Sequence, residues 1–175
     1  FGGSIRAAAL GMVGDWQDLG GSLFASEAGN EEDSSVLLQP LAGIDDAAER
    51  AWAAEWLAGI FESEGATVDP QAKEHIWSAL TSLASAPVGE RTLTGLAVLL
   101  QSQELKQALA PWCVGGAWGR LLDAEQERLG TASVQAFETE GLMDSGAAPA
   151  VLSYLCHRIA GRLDAHQQSV RGLGL

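Results

Sequence analysis

The sequence predicts a mainly α chain with a few short strands, an α+β arrangement in which a compact helical unit adjoins β-containing segments. Three observations predict it. Apolar residues recur at helical spacing over Trp52, Trp56 and Ile60, and again over Val151, Leu155, Ile159 and Leu163. Capping residues stand just ahead of the central helical runs, at Asp45 or Asp46, Asp69, Thr92 and Ser102. Strand character is confined to brief runs, Val36–Leu38 and Ser133–Phe137, too short to build a large sheet.

In chain order, Phe1-Gly2-Gly3 makes a turn and Ser4 caps a short helix over 5–12. The stretch GDWQDLGGSLFA then reads as extended pieces broken by glycine, and AGNEEDSS as a mobile polar loop. Val36-Leu37-Leu38, ahead of Gln39-Pro40, reads as a buried strand.

From Asp45 the pattern becomes helical. Trp52, Trp56 and Ile60 form one i, i+4 row, and Ala53, Leu57 and Phe61 form the next, so together they make one broad apolar face. Gly65 stands where a left-handed cap ends that helix. Asp69-Pro70 starts a second helix through Ile76, Leu80 and Leu83, which Pro87 and Gly89 stop. Thr92 starts a third, and Ser102 a fourth that closes at Pro111. After the glycine-rich stretch comes a strand over 133–137, then a long helix over 147–164 with Pro149 near its start. The tail AHQQSVRGLGL shows neither period and reads as frayed.

The chain has 175 residues, enough to bury about 70% of its unfolded surface without disulfides or metals. Its net charge of −13, with ten Lys and Arg thinly spread, excludes a cationic groove for nucleic acid. No apolar run reaches the length of a membrane span, and the first residues lack a signal-peptide pattern, so the expected setting is soluble and cytoplasmic. Cys113 and Cys156 lie far apart in sequence and suit buried free thiols in a reducing compartment.

The search for chemistry yields little. GxxxxGK[ST] occurs nowhere, and neither Lys73 nor Lys106 follows a glycine. Gly115-Gly116-Ala117-Trp118-Gly119 fits a GGxxG string but lacks a preceding strand, and reads as the exit turn of the helical unit. No metal site is expected: Cys156 and His157 are adjacent on a helix and point about 100° apart. No catalytic residue is assigned. The enzymatic alternative rests on Glu138 and Glu140, two acids at a strand end, together with His157; solvated acids at a strand-to-loop junction are the commoner meaning of that pattern. Trp52 and Trp56 read as core, and Trp77 and Trp118 as surfaces that meet something else.

The order of features is more specific than any one of them. VLLQPLAGIDDAAERAWAAEWLAGIF, HIWSALTSLA, RTLTGLAVLLQSQELKQAL and GGAWGRLLDAEQERLGTASVQAFETEGL, followed by the last helix, resemble the VirB4/TrbE/CagE family of conjugative-transfer and type IV secretion ATPases, most of all its TrbE branch. The likeness runs from Phe1 to Asp164. It implies a RecA-like α/β core interrupted by a helical insertion, acting at the cytoplasmic face of a membrane-spanning secretion machine. On that template, residues 1–44 are a partial core segment, 45–114 the helical insertion, 115–164 the return to the core and 165–175 a tail outside the family. ATP and Mg are implied only for the full-length family, whose P-loop belongs before Phe1 and whose Walker B strand belongs after Asp164, where this chain reads Ala165-His166-Gln167-Gln168-Ser169. The resemblance thus implies an internal fragment or truncated product, without a nucleotide site or cofactor of its own. Its implied partners are proteins: further copies of itself or other secretion-system components. A free-standing acidic interaction module that binds a full-length ATPase is the alternative. Residues 36–38 and 133–137, deprived of sheet neighbours, are expected to pair with each other, to rearrange, or to be covered by another copy.

Overall fold

The computed structural model describes the backbone of residues 2–24, 36–130 and 133–172, and side chains at 6–21, 36–130 and 133–165. The polar loop expected at 28–35 lies outside these residues. Helix α1 (Gly2–Gly11) leads through Val13 into strand β1 (Asp15–Asp18) and the short helix α2 (Leu19–Phe24). The helical unit follows: α3 (Ala47–Ser63), α4 (Pro70–Leu83), α5 (Leu93–Leu99) and α6 (Gln103–Leu109). One-turn helix α7 (Gly119–Leu122), strand β2 (Gln135–Glu138) and the long helix α8 (Ala148–Gly172) complete the order. The protein is therefore mainly helical with a two-stranded parallel sheet, as the sequence predicts.

The four predicted caps hold. Asp46 Oδ1 accepts from Ala48 N at 2.7 Å and Glu49 N at 3.1 Å, and Asp69 Oδ1 accepts from Ala72 N at 2.8 Å with Pro70 in the first turn. Thr92 Oγ1 accepts from Gly95 N at 3.0 Å, and Ser102 Oγ from Leu105 N at 3.3 Å. Each satisfies a backbone donor that the helix start leaves without an intrahelical partner. Gly65, with φ +83°, ends α3 in the left-handed region that favours glycine.

These helices enclose one core. Leu57, Phe61, Leu80, Leu93, Leu96 and Leu109 are fully buried in it, and Trp112, Leu121 and Val151 extend it from the helical unit into the later segments. Within the unit α3 packs on α4 and α6, and α4 on α5; α8 packs on α3. Two buried polar side chains tie the entry of the unit to its far side. Arg91 donates to the carbonyls of Ala86 and Ala42 and pairs with Asp45 at 2.5 Å. Gln39 Nε2 donates to Val88 O at 2.6 Å.

Three segments differ from the sequence reading. The first helix begins at Gly2, so Ser4 lies within it rather than capping it. Strand β2 pairs not with residues 36–38 but with β1, in parallel register from Asp15↔Gln135 to Asp18↔Glu138. Residues 37 and 38 instead bond to the segment after α7: Leu38 N donates to Leu121 O at 2.7 Å, and Leu37 and Arg128 form an isolated antiparallel bridge. Of the three expected fates, rearrangement fits residues 36–38, because the hydrogen bonds a strand would have taken from a sheet are supplied by a neighbouring loop. Helix α8 runs on to Gly172, so backbone order extends through most of the tail expected to fray. Nothing in its sequence from Ala165 to Arg171 breaks a helix, since neither Gly nor Pro occurs there.

Candidate functional site

Glu138, Glu140 and His157 do not share a set of partners. Glu138 ends β2, and its Oε1 accepts from the backbone N–H groups of Thr139 at 3.1 Å and Glu140 at 3.3 Å, closing the turn after the strand. Glu140 is exposed in that turn. His157 lies on α8, stacked on Trp52 of α3 with ring centroids 4.0 Å apart and planes 8° apart, and its Nε2 is 2.9 Å from Glu49 Oε2. The acids thus serve a turn and the imidazole serves a helix joint.

That joint is a polar and aromatic cluster. Trp52 also stacks on Trp56 at 5.7 Å, and Trp56 Nε1 donates to Ala150 O at 3.0 Å, so α3 holds the first turn of α8 by an indole hydrogen bond. One turn on, Tyr154 donates its hydroxyl proton to Glu127, whose other oxygen pairs with Arg158 Nη2 at 2.7 Å. Burial first, and the Glu127 carboxylate second, raise the Tyr154 phenol well above its ordinary range, so it stays a donor. Such a cluster aligns α8 on the helical unit. Trp52 and Trp56 are the packing groups predicted. Trp77 is 45% exposed beneath the Arg50 guanidinium, and Trp118 is half-buried against Trp112.

The glycine-rich stretch is a closed turn. Gly116 N donates to Cys113 O at 2.8 Å, Trp118 N to Pro111 O at 2.9 Å, and Val114 N to Asp123 Oδ2 at 2.7 Å. A phosphate loop presents such N–H groups to its ligand; these three are occupied within the chain. Gly119 is buried, and a side chain there would overlap the Cys113 carbonyl, so glycine is needed for close approach of backbone to backbone.

Asp123, only 5% exposed, organises that turn, and sequence reasoning missed it. Besides Val114 N it accepts from Thr94 N at 3.0 Å and Thr94 Oγ1 at 2.5 Å, joining the first turn of α5 to the end of α7. The signal was a lone carboxylate directly after the apolar pair Leu121-Leu122. Nearby Cys113 is half-buried; burial first and the Asp123 charge second push its thiol up to about 11, which makes it a poor nucleophile at neutral pH. Cys156 differs from expectation in being exposed on α8. Among the described residues no cluster of three His, Cys, Asp or Glu is placed to hold a metal ion, and no helix is long and apolar enough to cross a membrane.

No family model matches the chain. It is, however, 35% identical over 166 residues to a probable conjugal transfer protein TrbE of Sinorhizobium fredii (strain NBRC 101917 / NGR234). It is 37% identical over 164 residues to conjugal transfer protein TrbE of Rhizobium radiobacter. The chain is a homologue of TrbE. The likeness covers 93% of this chain but only 24% and 19% of those two proteins, so the chain spans a quarter or less of the TrbE relatives it matches. A contiguous match of that extent includes the whole helical unit and both strands, so the closed Gly115–Gly119 turn and the α3–α8 joint lie within the TrbE-like region.

Proposed function

We propose that this chain is a segment of a TrbE-type conjugative-transfer ATPase that supplies a helical unit and part of the adjoining core, and that it neither binds nor hydrolyses ATP by itself. What carries the proposal is the TrbE homology over nearly all of a chain in which the glycine-rich turn at 115–119 spends its N–H groups on acceptors of its own chain. The residues present do not fit ATP and Mg: no lysine follows a glycine-rich loop, and among the described residues no carboxylate cluster stands ready for a cation. The division into residues 1–44, 45–114, 115–164 and 165–175 belongs to the same reading, with 45–114 as an insertion in a RecA-like core. The segment acts through protein contacts, with further copies or other secretion components, at the cytoplasmic face of the membrane.

Calorimetric titration of the chain with Mg-ATP is expected to give no saturable heat. Saturable binding near one nucleotide per chain would overturn the proposal. The second reading, an acidic helical module that binds a full-length TrbE, draws on the helical unit having a largely enclosed core; retention of full-length TrbE on the immobilised chain is the result it requires.

A further inference from the structure

Helix α8 carries a second apolar face that the molecule does not cover. Its inner face, Val151, Tyr154 and Leu155, is buried against the rest of the chain. About a quarter-turn round the helix lies Leu152, half-buried, then Cys156, exposed, Ile159, 43% exposed, and Leu163, 59% exposed. Steps of four, three and four residues are the spacing of a seam between two paired helices. Beyond Leu155 no described side chain of α8 is buried, although the helix continues to Gly172. A helical extension of that length without tertiary packing is marginal in water, and a partner along the seam would stabilise it.

The charge pattern selects the partner. The chain carries 23 acids and a net charge of −13, so most contacts between two copies set acid against acid. From Leu152 to Leu163 there is no Asp or Glu at all. The basic residues beside the seam are turned inward: Arg158 pairs with Glu127, and both terminal nitrogens of Arg162 donate to Gly130 O at 3.1 Å. The outer flank, Ser153 and Ala160, is exposed, small and uncharged, which permits close approach. An identical seam related by a two-fold axis is self-complementary.

We propose that α8 pairs in parallel with α8 of a second copy of this chain through Leu152, Cys156, Ile159 and Leu163. This goes beyond the segment reading and stands or falls separately from it: ATP binding would leave the dimer in place, and a monomer would leave the ATP result in place. The test uses the 175-residue chain with Cys113→Ser, so that Cys156 is the single thiol. Light scattering is expected to show a dimer, and a copper–phenanthroline oxidant, which accepts the two electrons released as two thiols become a disulfide, is expected to link the copies at Cys156. The double change Ile159→Glu with Leu163→Glu alters exposed positions only; with the helical circular dichroism unchanged, it should give a monomer and abolish the link. A monomeric mass for the parent chain, absence of the Cys156 link, or a dimer that survives the double change would each overturn the proposal.

Discussion

Trp112→Ala is expected to lower the unfolding free energy by about 4 kcal/mol, in the range found for truncating a large buried aromatic. Trp112 is 1% exposed at the point where the helical unit hands over to the later segments, and it packs against Trp118 at 6.2 Å between ring centroids. Its Nε1 donates to Glu64 Oε1 at 2.9 Å, so the indole reaches from the one-turn helix after α6 to the end of α3. Alanine removes the packing volume and the hydrogen bond together. Relaxation is limited because fully buried neighbours such as Phe61 and Leu109 belong to helices held in place by their own caps. Thermal unfolding measures the effect, and at roughly 2–4 °C per kcal/mol for a chain of this size the midpoint falls by about 8–16 °C. A change under about 2 °C would mean that the unit does not depend on this closure.

The second large effect is Asp123→Ala, with an expected loss of about 3 kcal/mol. The carboxylate accepts from two backbone N–H groups and one hydroxyl, and alanine leaves Thr94 N and Val114 N without that acceptor. Thr94 N also lies in the first turn of α5, where a negative charge is favourable to the helix dipole. Asp123→Asn separates the contributions: its oxygen can accept one backbone bond, but its NH2 meets a donor at the other position, so asparagine should recover only part of the loss. Full recovery would show that the charge and the second acceptor are immaterial.

Most of the helical unit was legible because its determinants are local. Asp46, Asp69, Thr92, Ser102 and Gly65 act within three residues of where they stand, so their roles can be read along the chain. The sheet was less legible. Strand β1 was visible only as extended pieces between glycines, and its partner β2 is more than a hundred residues away, a pairing that four residues of pattern cannot specify. Val36 to Leu38 shows the same limit: three apolar residues mark burial but not which neighbour supplies the hydrogen bonds. At the candidate site, Trp52 and Trp56 were identified as packing from their spacing. The use of His157 against Trp52 and Glu49 was hidden by a separation of about a hundred residues, as was the joining of Thr94 to Val114 through Asp123 by a shorter one. Glu138 and Glu140 resembled a carboxylate pair in sequence. The structure gives Glu138 to the turn amides and leaves Glu140 in solvent, the ordinary fate of acids where a strand meets a loop.

The central claim is that the chain is a helical unit with an enclosed core, joined to α8 and carrying a two-stranded sheet that is too small to be stable alone. Hydrogen–deuterium exchange of the whole chain, resolved by peptide, tests it most directly. Amides of α3, α4 and the first turns of α8 should be the slowest to exchange and should share one opening free energy, while those of β1 and β2 exchange faster. Strand amides protected as strongly as α3, or a helical unit that opens in separate pieces, would contradict the account.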